Sequence, residues 1–266
     1  MMKTPVLILG TLLMVAAADN IDAVAKQLKT TRGEIESMIK TNIGHASFAF
    51  PYSSRLVPVD KRADVVKALA EFSKAYTKSE AFMTWYGKYR EEEKPKAQAD
   101  IKPAADQRKE QVEQIKKSIA ENEKAYQQAT GDMKEVYRQA LETMKLMLQQ
   151  TQNAPAEQDQ MMDQMAGQAN QDAKKEYEQK LAAWNKDYPA GNPKPLLRRR
   201  IQEFLDVTQG VDFGAELVKN GDKLLFKNPD YERKDYRFKL GFRAGKAATE
   251  TARTFAQAWL KELGKE

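Results

Sequence analysis

The sequence predicts a nearly all-α, multi-helix protein with a long antiparallel helical hairpin or coiled-coil-like region. Three observations carry this. Apolar residues recur at spacings of three and four along most of the 266 residues, and cap and stop signals bound those runs. Only 211–227 reads equally well as a helix or as a small hairpin turning at Asn220 and Gly221.

The first twenty residues stand apart. MMKTPVLILGTLLMVAAADN sets Lys3 before an apolar stretch from Val6 to Val15, and Ala16 and Ala18 precede a cut ahead of Asp19. This is the three-part pattern of a secretory signal peptide over 1–18. The run is shorter than the roughly 20 apolar residues that span a bilayer, and no later stretch is apolar enough. The expectation is a protein exported to the periplasm or secreted, with 248 residues and no stable transmembrane segment after cleavage.

An N-terminal helical segment is expected over 19–95. Ile21, Val24, Leu28, Ile35, Met38 and Ile39 share one helical face, although Gly33 interrupts it. Pro51 and Pro58 forbid a continuous helix in the next stretch, where Phe48, Phe50, Leu56 and Val57 are expected to pin the chain to a core. Asp60 caps a helix carrying Val65, Leu69, Phe72 and Tyr76, and Ser79 caps one carrying Phe82, Trp85, Tyr86 and Tyr89. EEEKPKAQADIKP is then a polar hinge.

The long antiparallel region covers 103–188. Val112, Ile115, Ile119, Asn122, Tyr126 and Ala129 form a seam at alternating three and four spacing. Asp132, with Glu135 three residues on, predicts a capping box that restarts the helix after a turn at Gly131. The second helix carries Val136, Tyr137, Leu141, Met144 and Leu148. A third opens near Pro155 and runs to Tyr188 through Met162, Met165, Ala169 and Trp184.

The basic C-terminal segment, 193–266, is expected to pack on 19–95. LLRRRIQEFLDV places Leu197, Ile201, Phe204 and Leu205 on one side. Asn228 and Pro229 start a last helix that the sequence lets run unbroken to Leu263, with Gly264 as its stop. Inside it, Gly241, Gly245, Ala248 and Ala252 form a small-residue stripe for close helix packing, sealed by Trp259.

Charge and chemistry narrow the function classes. The net charge is +6, and 190–266 hold 16 Lys and Arg against 11 Asp and Glu, a balance of +5. Arg233, Lys234, Arg237, Arg243 and Lys246 are the candidate contacts for an anionic partner, weighed against a simply solvated helix surface. A protein or an anionic envelope component is the partner class, self-association stays open, and an export signal argues against nucleic acid.

With no cysteine, thiol catalysis, disulfides and thiolate metal sites are excluded. His45 is the sole histidine, which leaves zinc with an unusual ligand set and a triad with no choice of base. No catalytic, metal or cofactor residues identify themselves, and no cofactor is expected. The expectation is a non-enzymatic exported helical interaction or structural protein of the cell envelope, with a chaperone-like variant. The alternative is an envelope hydrolase working through two carboxylates about 5 to 10 Å apart in a cleft. Exposure of Met161, Met162 and Met165 separates the chaperone-like variant from an ordinary bundle, in which they are buried.

Overall fold

The computed structural model describes residues 21–48 and 50–264, and the signal peptide expected over 1–18 lies outside them. Helices account for nearly all of the regular structure, joined by one two-stranded hairpin. The chain divides into two compact units, one of Met1–Lys94 with Ala183–Glu266 and one of Pro95–Ala182.

In the first unit, helix α1 covers 21–27 and α2 covers Arg32–His45. The face from Ile21 to Ile39 is therefore shared by two helices, not carried by one. The break is at Lys29, whose φ is 49°. Thr31 then restarts the helix with a complete capping box: its side chain accepts from the Glu34 N–H while Glu34 accepts from the Thr31 N–H.

Two 3₁₀ turns follow, Tyr52–Leu56 and Val59–Lys61. Asp60 lies inside the second turn and does not cap the helix α3, Arg62–Tyr76. Of the residues expected to pin this crossing, Val57 is buried, but Phe50 and Leu56 are 55% and 70% exposed. Ser79 does cap α4, Glu80–Glu92, by accepting from the Phe82 N–H at 3.2 Å. Helix α8 covers Lys194–Val207.

The main core gathers Ile21 from α1, Leu28 from the turn after it, Ile35 and Ile39 from α2, Phe72 and Tyr76 from α3, Phe82 and Tyr86 from α4, and Leu196 from α8. Burying such side chains contributes about 1.5 to 3 kcal/mol each. A smaller cluster of Ile201, Leu205 and Ala256 adjoins it, and Trp259 and Leu263 pack against both.

Two buried tyrosines tie this unit together. Tyr86 donates its hydroxyl to the carbonyls of Pro189 and Asn192 at 2.9 and 3.1 Å, and Tyr89 donates to that of Gly44 at 2.9 Å. Burial pushes the Tyr86 hydroxyl up to about 12 and the Tyr89 hydroxyl higher still. The unfolded chain ionises both near 10. Their contribution is thus intact below pH 10 and lost as pH rises from there towards 12. A Tyr86→Phe, Tyr89→Phe protein is expected to show a shallower alkaline fall in denaturant midpoint than the parent.

The segment 211–227 is a hairpin: β1, Leu217–Asn220, pairs antiparallel with β2, Lys223–Phe226. Asn220 faces Lys223, so the turn is made by Gly221 and Asp222. Asn228 and Pro229 start a helix as expected, but α9 ends after one turn, Pro229–Glu232. Asp235 caps α10, Tyr236–Ala244, and α11 covers Lys246–Leu263. The unbroken final helix is therefore three helices. The second break falls at Gly245, with φ of 91° and ψ of 159°, a region that only glycine occupies without strain.

In the second unit, α5, Ala104–Gln128, and α6, Asp132–Gln152, run antiparallel, with Glu123 paired to Lys145 and Lys134 over the Tyr126 ring. Gly131 breaks the helix with φ of 60°. Asp132 is the first helical residue and caps nothing. Glu135 pairs forward with Arg138, so the expected capping box is absent.

Helix α7, Ala156–Asp187, meets the start of α5 through Asp163, which accepts from the Ala104 N–H, and through an Asp159–Arg108 ion pair. Among the helices of this unit, close backbone packing along their length is confined to α5 and α6. A third helix packed along that pair, as in a full bundle, is not what forms. Among the described residues of this unit only Ala104 and Leu141 are buried apolar side chains.

Candidate functional site

Two surfaces offer themselves, one in each unit. In the first unit a groove of about 250 Å³ opens over the junction of the two core clusters. Ile39, Phe48, Ile201, Phe204, Phe255 and Trp259 supply most of its apolar wall, and Arg200, Glu203 and Arg237 are its charged members. The two arginines are already engaged. Arg200 donates to the Ile43 and Gly44 carbonyls at 2.7 Å each and to both Glu203 oxygens. Arg237 grips Asp235 through two nitrogens, reaches the Ala46 carbonyl at 3.2 Å, and lies over the Phe48 ring.

Both guanidinium groups thus serve carbonyls at the end of α2, where a helix leaves acceptors unpaired and its dipole favours positive charge. Arg237 belongs to the architecture of this unit, not to an open cationic patch. Glu203 is the one acidic residue in the groove wall, so the groove lacks the second carboxylate that hydrolysis of the kind considered above requires.

The other basic candidates differ among themselves. Arg233 is exposed and paired with Asp230 at 2.5 Å, and Lys246 stands 3.9 Å from Glu250. Lys234 lies over the Phe238 ring, and the Arg243 side chain is exposed while its carbonyl accepts from Arg62. They do not form a single stripe, because the break at Gly245 separates Lys246 from the rest.

The small-residue stripe is divided too. Gly241 is buried, and a Cβ there would meet Thr208 at 3.6 Å and Thr249 and Val211 at 3.8 Å. Its carbonyl accepts from the Thr249 hydroxyl at 2.7 Å. Gly245 instead faces open space, with Val59 at 3.9 Å as the nearest neighbour of a Cβ. Ala248 is buried, and Ala252 and Trp259 are half-buried.

His45 is exposed, with its ring edge-on to Tyr89 at 6.5 Å. Among the described residues no three acidic or histidine side chains are grouped to hold a metal ion, and no helix is long and apolar enough to cross a membrane.

The second surface lies in the 95–182 unit. Met161, Met162 and Met165 near the start of α7 are 61%, 41% and 68% exposed. On α6, Met133, Val136 and Met147 are also exposed, at spacings that place them on one stripe. That stripe borders the half-buried seam of Tyr137, Met144 and Leu148. Periodicity alone marks these methionines as core. The structure leaves them in solvent because no further helix is laid along α5 and α6. Unbranched thioether side chains adapt to irregular apolar partners, which suits a surface that takes more than one.

Comparison with known protein families, with curated proteins and with solved structures finds no match.

Proposed function

We propose that this is an exported, non-enzymatic helical interaction protein of the cell envelope that holds exposed apolar segments of other polypeptides, in the manner of a chaperone. One observation carries the reading: six large apolar side chains, the five methionines and one valine named above, stand in solvent, three on one stripe of α6 and three near the start of α7. Single exposed apolar residues are ordinary, whereas a grouped set marks a surface that something covers. The surrounding Gln, Lys, Glu and Asp keep such a surface soluble between partners. The apolar leader before Asp19 supports the compartment, and cleavage there is expected to give a mature chain beginning at or within a few residues of Asp19.

The experiment is suppression of aggregation of a thermally destabilised client protein, read by light scattering. The parent is expected to suppress it at near-stoichiometric ratios. A Met161→Lys, Met165→Lys variant is expected to lose that activity while melting at the parent temperature, since both side chains are already exposed. Equal suppression by the variant contradicts the reading, and a dimer that forms through these methionines and is lost in the variant assigns the surface to self-association instead.

A further inference from the structure

The hairpin and the helices at its root form a second surface, distinct from the methionine face. Residues 215–246 hold nine Lys and Arg against five Asp and Glu. Four of the five acids are spent locally: Glu216 on Lys227, Asp230 on Arg233, Glu232 on Lys239 and Asp235 on Arg237. Lys219, Lys223, Lys234 and Arg243 are exposed and make no ion pair among the described residues, leaving Asp222 as the one acid against them.

Lys219 and Lys223 flank the hairpin turn, and Lys234 stands at a structural node at its root. Glu232 accepts from the Phe226 N–H, Phe226 packs on Tyr231 and Phe242, and Lys234 lies over Phe238, whose ring abuts Tyr231. The hairpin itself buries only its root, at Phe226. Leu217 and Leu224 on the face shared with Phe226, and Val218 on the other, are 39%, 57% and 43% exposed. A two-stranded ladder with so little burial is marginal alone and gains from a covering surface.

We propose that this hairpin docks on an anionic lipid bilayer through the face of Leu217, Lys219 and Leu224, the two leucines entering the interfacial zone and Lys219, with Lys223, Lys234 and Arg243 around it, meeting the headgroups. Charge complementarity selects this occupant. An apolar wedge with a surplus of unpaired cations is the two-signal arrangement by which peripheral proteins hold a charged membrane, and headgroup water still serves the strand edges at that depth. Neither a neutral bilayer nor an apolar polypeptide uses the cations.

The test is co-sedimentation of the mature protein with vesicles of equal parts phosphatidylglycerol and phosphatidylcholine, against phosphatidylcholine alone. Binding is expected to the anionic vesicles only and to fall with added salt. Lys219→Glu with Lys223→Glu is expected to lower partitioning at least about tenfold, from about fivefold per cation removed. Leu217→Ser with Leu224→Ser is expected to lower it as well, while Met161→Lys with Met165→Lys leaves it unchanged. All variants are to melt as the parent does. No sedimentation, equal binding to neutral vesicles, or no loss in the lysine pair overturns the proposal. So does retention on a soluble polyanion without any vesicle binding, which assigns the cations to an acidic macromolecule. Client suppression is scored separately, so either proposal can fail alone.

Discussion

Replacing Trp184 with alanine is expected to destabilise the unit of 21–94 and 183–264 by about 3 to 5 kcal/mol, the range for deleting a buried large aromatic. The indole is 7% exposed and makes two contacts with Arg90. Its Nε1–H donates to the Arg90 carbonyl at 2.9 Å, closing an acceptor at the end of α4. Its face carries the Arg90 guanidinium at 3.7 Å. Arg90 in turn donates to the Tyr188 carbonyl at 2.7 Å and to Asn185 at 2.8 Å, so loss of the indole loosens a latch between two stretches far apart in sequence. Trp184→Phe keeps the stacking surface but removes the donor, and is expected to cost only about 1 to 3 kcal/mol. Urea midpoints of the two variants separate packing from hydrogen bonding. A Trp184→Ala protein within about 1 kcal/mol of the parent contradicts the burial assigned here.

At Gly245, leucine and alanine are both expected to destabilise by about 1 to 3 kcal/mol, and by similar amounts. The cost comes from the backbone: φ of 91° with ψ of 159° belongs to the region that L side chains enter only under strain. Size matters little, since a Cβ there has only Val59 near it, at 3.9 Å. Close helix packing predicts the opposite ranking, with alanine tolerated and leucine not. At Gly241, where the neighbours are Thr208, Val211 and Thr249, that size-dependent ranking is the expected one. Denaturant midpoints of the four variants distinguish strain from overpacking at each glycine.

That contrast shows where the sequence is legible. Helical class is readable because 3.6-residue periodicity and side-chain caps are local, and Ser79, Asn228 and Pro229 announce helix starts that form. The break at Gly245 is not readable, because Ala244 and Ala247 fit a continuing helix equally well and nothing local reveals a glycine's φ. Nor is the task of Arg237 readable. Its acceptor, the Ala46 carbonyl, lies 191 residues away. A charged side chain looks the same in sequence whether it meets solvent, a partner or the end of a distant helix.

The methionine face is the sharpest instance. Met162 and Met165 keep the spacing of a core face, and only the absence of a helix packed along α5 and α6 turns that face outward. The groove over Ile39 and Phe204 was equally hidden, since it depends on how α2, α3, α8 and α11 meet.

The most direct test of the apolar-segment account is methionine oxidation footprinting with dilute peroxide, read by mass spectrometry with and without an unfolded client. Sulfoxide formation follows exposure. The account predicts fast oxidation of Met161, Met162 and Met165 in the free protein and strong protection when client is added, with the half-buried Met38 and Met83 slow and unchanged in both. Oxidation of Met161, Met162 and Met165 at the same fast rate with client bound would contradict it.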